Sequence, residues 1–408
     1  MRLWKVGWAL GLAFAAAVLV AGGIFYGLVE LLDFKEIDST TKLDAKTLFE
    51  LVKLSFGVVA GAGALVALVV AYRRQRVDEA GAHREATRLH TERFSQAIDK
   101  LGSDSPAVRL GGVHALAGLA DDAPDDSLRQ TCIDVLCAYL RLPFPPDPGN
   151  PPDNTSTEEQ REAHQDKKDR HLALREVRHT ILRLIGDHYR IPQGTHRSWQ
   201  GCNLDLTGVT IDGDMDFRGA TFSGGTVSFF RATFSGGMVS FTGATFSGSE
   251  ISFDGSTFAG GKVSFDRAAF SGGTVSFDRA AFADGKVSFG DATFAGGKVS
   301  FGDATFAGHR VSFDDAEFSG GTVSFDDAEF SGGTVSFFGA AFSGGTVSFG
   351  HAAFSSGTVS FFRAAFSGGT VSFDRAAFAD RTVSFGYATF SGGTVSFDRA
   401  TGSIPPLR

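Results

Sequence analysis

The sequence predicts an all-β solenoid, preceded by a two-helix transmembrane hairpin and a small α-helical module. Three observations lead there. Phe recurs every 12 residues from Phe222 to Phe390, fifteen times, and a second series from Phe229 to Phe397 keeps step with it. The unit between them reads close to A-x-F-S-G-G-T-V-S-F-D-R, and a strict short period marks a coil whose units are stable only when stacked. At the front, Val6–Val29 and Leu54–Tyr72 carry no charged residue, and each reaches the roughly 20 residues needed to cross a bilayer core.

A chain of 408 residues is too long for one compact core and should hold two or three units. The 52 Gly and 41 Phe stand against only 3 Met and 3 Trp, and most of the excess lies after residue 200. The formal charge is −8, and residues 203–400 alone hold 20 Asp+Glu and 12 Lys+Arg, also −8. The repeat therefore carries the acidity. This argues against nucleic-acid binding by the repeat, because phosphates need a basic surface. Cys132, Cys137 and Cys202 form no CxxC pair and no zinc spacing, which suits a reducing compartment.

Residues 1–76 are expected to form the hairpin, with spans at about 6–29 and 54–72. Trp4 and Trp8 mark one interface and Tyr72 the end of the second span. Arg73, Arg74 and Arg76 follow the second span as a tight cluster. In the connecting loop, by contrast, Lys35, Lys42, Lys46 and Lys53 are diluted by acids. This places both termini on the cytoplasmic side of the cell (inner) membrane, with the lipid bilayer as one partner. Gly57 and Gly61 allow close helix contact, either within the hairpin or in a homo-oligomer.

Residues 77–142 read as a helical module. Phe94, Ala97, Ile98 and Leu101 make an apolar stripe, Ser105-Pro106 starts a helix, and Val113, Leu116 and Leu119 continue one face. A further helix opens at Asp126 or Ser127, with Leu128, Cys132, Val135, Leu136 and Leu140 on its stripe. Ser105–Tyr139 resembles HEAT or armadillo-type helical pairs, which implies protein binding or a spacer role. Residues 143–168 read as a Pro- and charge-rich linker. Residues 169–202 hold a last helix, Leu172–Tyr189, and a connector; its inward residues are Leu174, Val177, Ile181, Leu184 and Ile185. His164, His171, His179, His188 and His196 lie 7 to 9 apart, whereas helical metal sites want His three or four apart, so they are read as surface or partly packed side chains.

In the repeat, residues 203–402, alternation sets inside from outside. Ala220 and Phe222 point one way and Thr221 the other; Val227 and Phe229 point inward and Ser228 outward. Each unit thus makes two very short strands joined by Gly-rich corners. At the front of the repeat the large centres Leu206, Ile211, Phe217 and Phe222 are spaced 5, 6 and 5. Each has a partner two places earlier: Leu204, Val209, Met215 and Ala220. This pattern resembles the pentapeptide-repeat family, and the layout as a whole resembles its membrane-anchored members from high-GC bacteria. After Phe222 the spacing alternates 7 and 5, a departure that leaves the corner geometry open. The resemblance implies a right-handed quadrilateral β-helix, a stacked coil that here would take about 24 residues per turn. The rival is a flat coil of about 12 residues per turn, whose thin interior two Phe, a Val and an Ala would crowd. Gly402 stands where Phe belongs and ends the ladder, and the tail 403–408, with Pro405 and Pro406, is placed to fold over the last turn.

No Walker loop, GxSxG, HExxH or zinc spacing appears, and the SGGT and AGGK corners lack a following helix. No catalytic, cofactor-binding or metal-binding residue is expected, and no cofactor; the chain is not expected to be an enzyme. The expectation is a membrane-anchored scaffold or spacer for an unidentified protein partner, with possible self-association through the transmembrane helices or the rod end. The alternative, implied by the resemblance, is a DNA-mimicking regulator of an enzyme such as a topoisomerase. Asp303, Asp314, Asp315, Glu317, Asp326, Asp327 and Glu329 form the acidic stretch that would serve it. Against it, a charge of −8 over a rod of roughly 40 Å is sparse beside duplex DNA.

Overall fold

The computed structural model describes residues 45–150, 157–308, 310–379 and 383–404, with a few positions between 16 and 30. It divides into two units, Met1–Arg88 and Leu89–Arg408. The expected first span lies mostly outside the described residues. The second is helical throughout, within helix α1 (Ala45–Leu101), and side chains such as Leu68, Val70 and Tyr72 are exposed. Among the described residues no helix is long and apolar enough to cross a membrane.

In the second unit, Ala97 and Leu101 at the end of α1 are buried, with Phe94 and Ile98 packed beside them. They meet α2 (Pro106–Asp121) at Gly112, where a Cβ would stand 2.6 Å from the Leu101 nitrogen. Helix α3 (Asp126–Arg141) is capped by Asp125, whose carboxylate accepts from the Leu128 amide. Helix α4 runs Glu158–Arg190 and so starts well before Leu172, where its apolar stripe suggests a beginning. Its start is a capping box, Thr157 with Gln160, which needs no apolar face to form. Val177, Ile181 and Ile185 carry the inward stripe.

From Leu204 to Gly402 the chain winds into a right-angled β-solenoid of about 8 turns. The register decides between the two coils. Phe222 lies beside Phe246, Phe246 beside Phe270, and Val323 beside Val347. Each parallel step therefore spans a four-sided turn, about 24 residues long, and the flat coil of half that length is excluded. Most turns pass through four short strands, as in Thr293–Phe294, Lys298–Ser300, Thr305–Phe306 and Arg310–Ser312, while between Thr245 and Ser288 they join in pairs into 8-residue strands. The first turn is a residue shorter, Leu204 pairing with Val227, as the 5-6-5 lead-in requires.

Phe fills the interior in four ladders. Along a ladder the rings stack about one strand spacing apart, for example 4.8 Å between Phe229 and Phe253. Across the middle, two ladders meet edge to face, Phe241 and Phe253 at 5.9 Å and 89°. Both arrangements are favoured by the ring quadrupole, so one residue type can fill a square interior without voids.

The two kinds of corner differ. At the Gly-rich corner the second Gly takes positive φ, as at Gly369 (69°), and a Cβ there would lie 2.7 Å from the backbone of the turn below. The two extra residues of the 7-spacing are absorbed here. Ala269–Ser276 pairs continuously with Thr245–Ser252 through a register irregularity around Gly272. The other corner is a tight turn in which Ala232 N donates to Phe229 O at 2.9 Å while Arg231 sits at φ 55°. That is the type II pattern, which ordinarily calls for Gly at its third position. Twelve such corners instead hold Arg, Asp, His or Tyr at positive φ.

Candidate functional site

The first candidate surface is the end of the rod where the helices close it. A solenoid end exposes unpaired backbone groups and an open core. Here α4 covers both. Tyr189 lays its ring 5.1 Å from Phe222 and donates through its hydroxyl to Cys202 O at 2.9 Å. Gly186 passes so close to Asp216 O that no Cβ would fit. The edge carbonyls meet arginines: Thr210 O accepts from Arg178, Asp212 O from Arg175, and Asp216 O and Arg218 O from Arg190. From α3, the Gln130 side-chain amide exchanges two hydrogen bonds with the Asn203 backbone, at 2.8 and 2.9 Å. The helical module is thus the cap of the coil.

The cap is locked at Asp121, the buried last residue of α2. Its carboxylate accepts from Trp199 Nε1 at 3.0 Å and Arg197 Nε at 3.0 Å, and lies 3.1 Å from His188 Nε2. The other His188 nitrogen faces Leu184 O at 2.6 Å, so the ring donates to both only when it carries both protons. It stacks on Trp199 at 4.1 Å. Burial alone would raise the Asp121 carboxyl, but the donors from His188, Arg197 and Trp199 outweigh it and hold it below its ordinary value of 3.8. At the rod's own edge, Asp216 is held down to about 2, first by its hydrogen bond from Arg218.

The segment after α3 is also tied down. Phe144 lies 4.9 Å from the His171 ring and 4.9 Å under the Arg178 guanidinium, and His171 Nδ1 is 3.0 Å from Pro145 O. Arg178 is buried, and it also donates to Leu140 O at 2.7 Å. An open groove of about 840 Å³ remains between Pro145–Pro148 and the first turns of α4, lined by Gln160, His164, Lys167 and Arg170.

The five histidines are not brought together. His171 and His188 are buried in separate contacts, His179 lies 3.6 Å from Asp212, and His196 pairs with Asp122 at 3.4 Å. Among the described residues no group of three His, Cys, Asp or Glu could hold a metal ion. Burial pushes the Cys132 thiol up to about 11 and the Cys137 thiol up to about 12, so neither is a ready nucleophile.

The second candidate surface is the pair of type II corners, which the chain meets every half turn and which therefore lie on opposite edges. Their backbones stack by hydrogen bonds from turn to turn, Arg231 N to Asp254 O and Arg363 N to Gly386 O among them. The residue at positive φ then forms one outward column per edge. One edge runs Arg279, Asp303, Asp327, His351, Arg375; the other runs Arg267, Asp291, Asp315, Gly339, Arg363. The acidic stretch is split between these edges. Asp314 and Asp326 occupy the adjoining position on each edge, half-buried, where they accept hydrogen bonds from the hydroxyls of Ser336 and Ser348 in the next turn.

No family model, no curated protein and no solved structure matches this chain.

Proposed function

We propose that this chain is a non-enzymatic pentapeptide-repeat scaffold whose rod binds a protein partner along its edges. The observation that carries this is where the repeats differ from one another. Inward positions hold Phe, Val and Ala turn after turn, while the outward corner residue changes among Arg, Asp, Gly, His and Tyr. A coil selected only for stability would place Gly at every positive-φ corner. Charged and aromatic residues held there at a conformational cost are the groups a partner would read. Photo-crosslinking from Asp303 and Asp291 in cells tests this. One discrete adduct from a given edge is expected; a diffuse smear equal to that from an outward Thr would contradict it.

We further propose that the N-terminal segments hold the rod at the cytoplasmic face of a membrane. The two charge-free runs and the exposed apolar side chains at Leu68, Val70 and Tyr72 support this. Alkaline carbonate extraction should leave the chain in the membrane pellet, and release into the supernatant would end the proposal. Duplex mimicry gains nothing from the surface, because the acidic columns are two Asp long and are followed by His351 and Arg375 or by Gly339 and Arg363.

A further inference from the structure

One edge of the rod carries a pattern that the other lacks. Reading its outward column by turns gives Asp291, Asp315, Gly339, Arg363 and Tyr387, linked successively through hydrogen bonds between neighbouring corners. The adjoining column changes from Asp314 to Phe338 and Phe362 over the same turns. Phe338 is exposed and stacks on Phe362 at 5.9 Å, and Phe362 meets the exposed Tyr387 edge to face at 5.2 Å. The Arg363 guanidinium lies over both rings, 5.9 Å from Phe338 and 5.6 Å from Phe362. Aromatic rings with an arginine across them are the side chains that dominate protein interfaces, whereas the four interior Phe ladders are buried up to Phe390 and Phe397 at the end of the rod.

The column is self-complementary about its middle. Asp315 and Arg363 flank Gly339 at one turn on either side, and Asp291 and Tyr387 at two turns. We propose that a second copy of this chain docks on this edge, antiparallel, with a two-fold axis through the Gly339 turn. The axis then sets Asp315 against Arg363 of the other copy, twice, and Asp291 against the Tyr387 hydroxyl, also twice. Phe338 meets its own counterpart at the centre. A two-fold contact requires this self-complementarity, and a charge column of one sign could not supply it. Gly339 brings no side chain of its own to the axis, and the Asp315 carboxylate occupies the space where its Cβ would stand. The overlap covers only the C-terminal turns, so both helical caps stay clear. A strip of about five turns, roughly 24 Å long, is narrow, and the pairing should be weak and salt-sensitive.

Docking of a second copy is independent of any other partner the rod binds. The test is sedimentation of the full chain, in one detergent throughout, with Arg363→Asp, Asp315→Arg and the double variant. Both residue types already occupy this corner position elsewhere in the rod, so the turn accommodates each change. The wild type should dimerise at low ionic strength and dissociate when the Debye length is cut to about 3 Å. Each single change should weaken dimerisation at least tenfold, by putting like charges together. An equimolar mixture of the two single variants, and the double variant, should each recover it, because every pair is again opposite in sign. Phe338→Asp, which copies Asp314 in the same column, should lose dimerisation, and no change at Arg363 or Asp315 should restore it. A monomeric wild type, single variants that dimerise unchanged, or a double variant that stays monomeric would each overturn the proposal.

Discussion

Phe306 illustrates how one residue does several jobs in this coil. It stacks on Phe282 and Phe330 at 4.8 Å in its own ladder and leans on Phe301 and Phe325 at 6.3 and 6.2 Å. Phe306→Ala therefore removes ring contacts in three successive turns. It should cost about 3–5 kcal/mol in denaturant titration. The corner residues act in the opposite sense. Arg279 sits at φ 59°, where a Cβ is disfavoured, so Arg279→Gly should raise stability by up to about 1 kcal/mol despite losing a side chain. Inward Phe positions were legible from the period alone, because alternation in a strand leaves only one way to point them. Positive φ at Arg and Asp was not legible. Sequence reasoning assigns that conformation to Gly, and here the stacked turn imposes it.

Among the elements, α4 has the widest role, since it ends the coil as well as packing the module. Gly186→Ala should strain the contact with Asp216 O and cost about 1–3 kcal/mol, because the atom it meets belongs to the backbone. The Asp121 lock makes a pH prediction. Its carboxyl is held below its ordinary value of 3.8 in the folded chain, so the stability it contributes is complete above that ordinary, unfolded-state value. It is lost as pH falls through the folded-state value. Urea midpoints measured downward from pH 5 should fall less steeply in Asp121→Asn than in the wild type; parallel slopes would remove Asp121 from the account. Little of this cap could be read in advance. Trp199 and Asp121 are 78 residues apart, Arg197 and Asp121 are 76 apart, and each looks ordinary in its own segment. The apolar stripe of α4 was visible, but the charged turns from Glu158 onward, opened by the Thr157 capping box, lie beyond that stripe.

For the molecule as a whole, the constant interior carries the stability and leaves the edges free to vary. The Phe ladders set a rigid spacing between successive corners, and the corner residues place charge and aromatic groups on that ruler. This depends on every turn having four sides, because a flat coil of half the length would bring Asp303 and Asp315 together on one edge and erase the two separate columns. Disulfide trapping between outward threonines tests the register directly. Thr322 and Thr346 are cross-strand neighbours, and parallel strands about 4.8 Å apart suit a disulfide. Thr334, midway between them in sequence, pairs instead with Arg310 and Thr358, in the other sheet. Thr322→Cys with Thr346→Cys should therefore oxidise rapidly to an intramolecular bond, while Thr322→Cys with Thr334→Cys should remain reduced. Rapid closure of the second pair and not the first would contradict the four-sided coil.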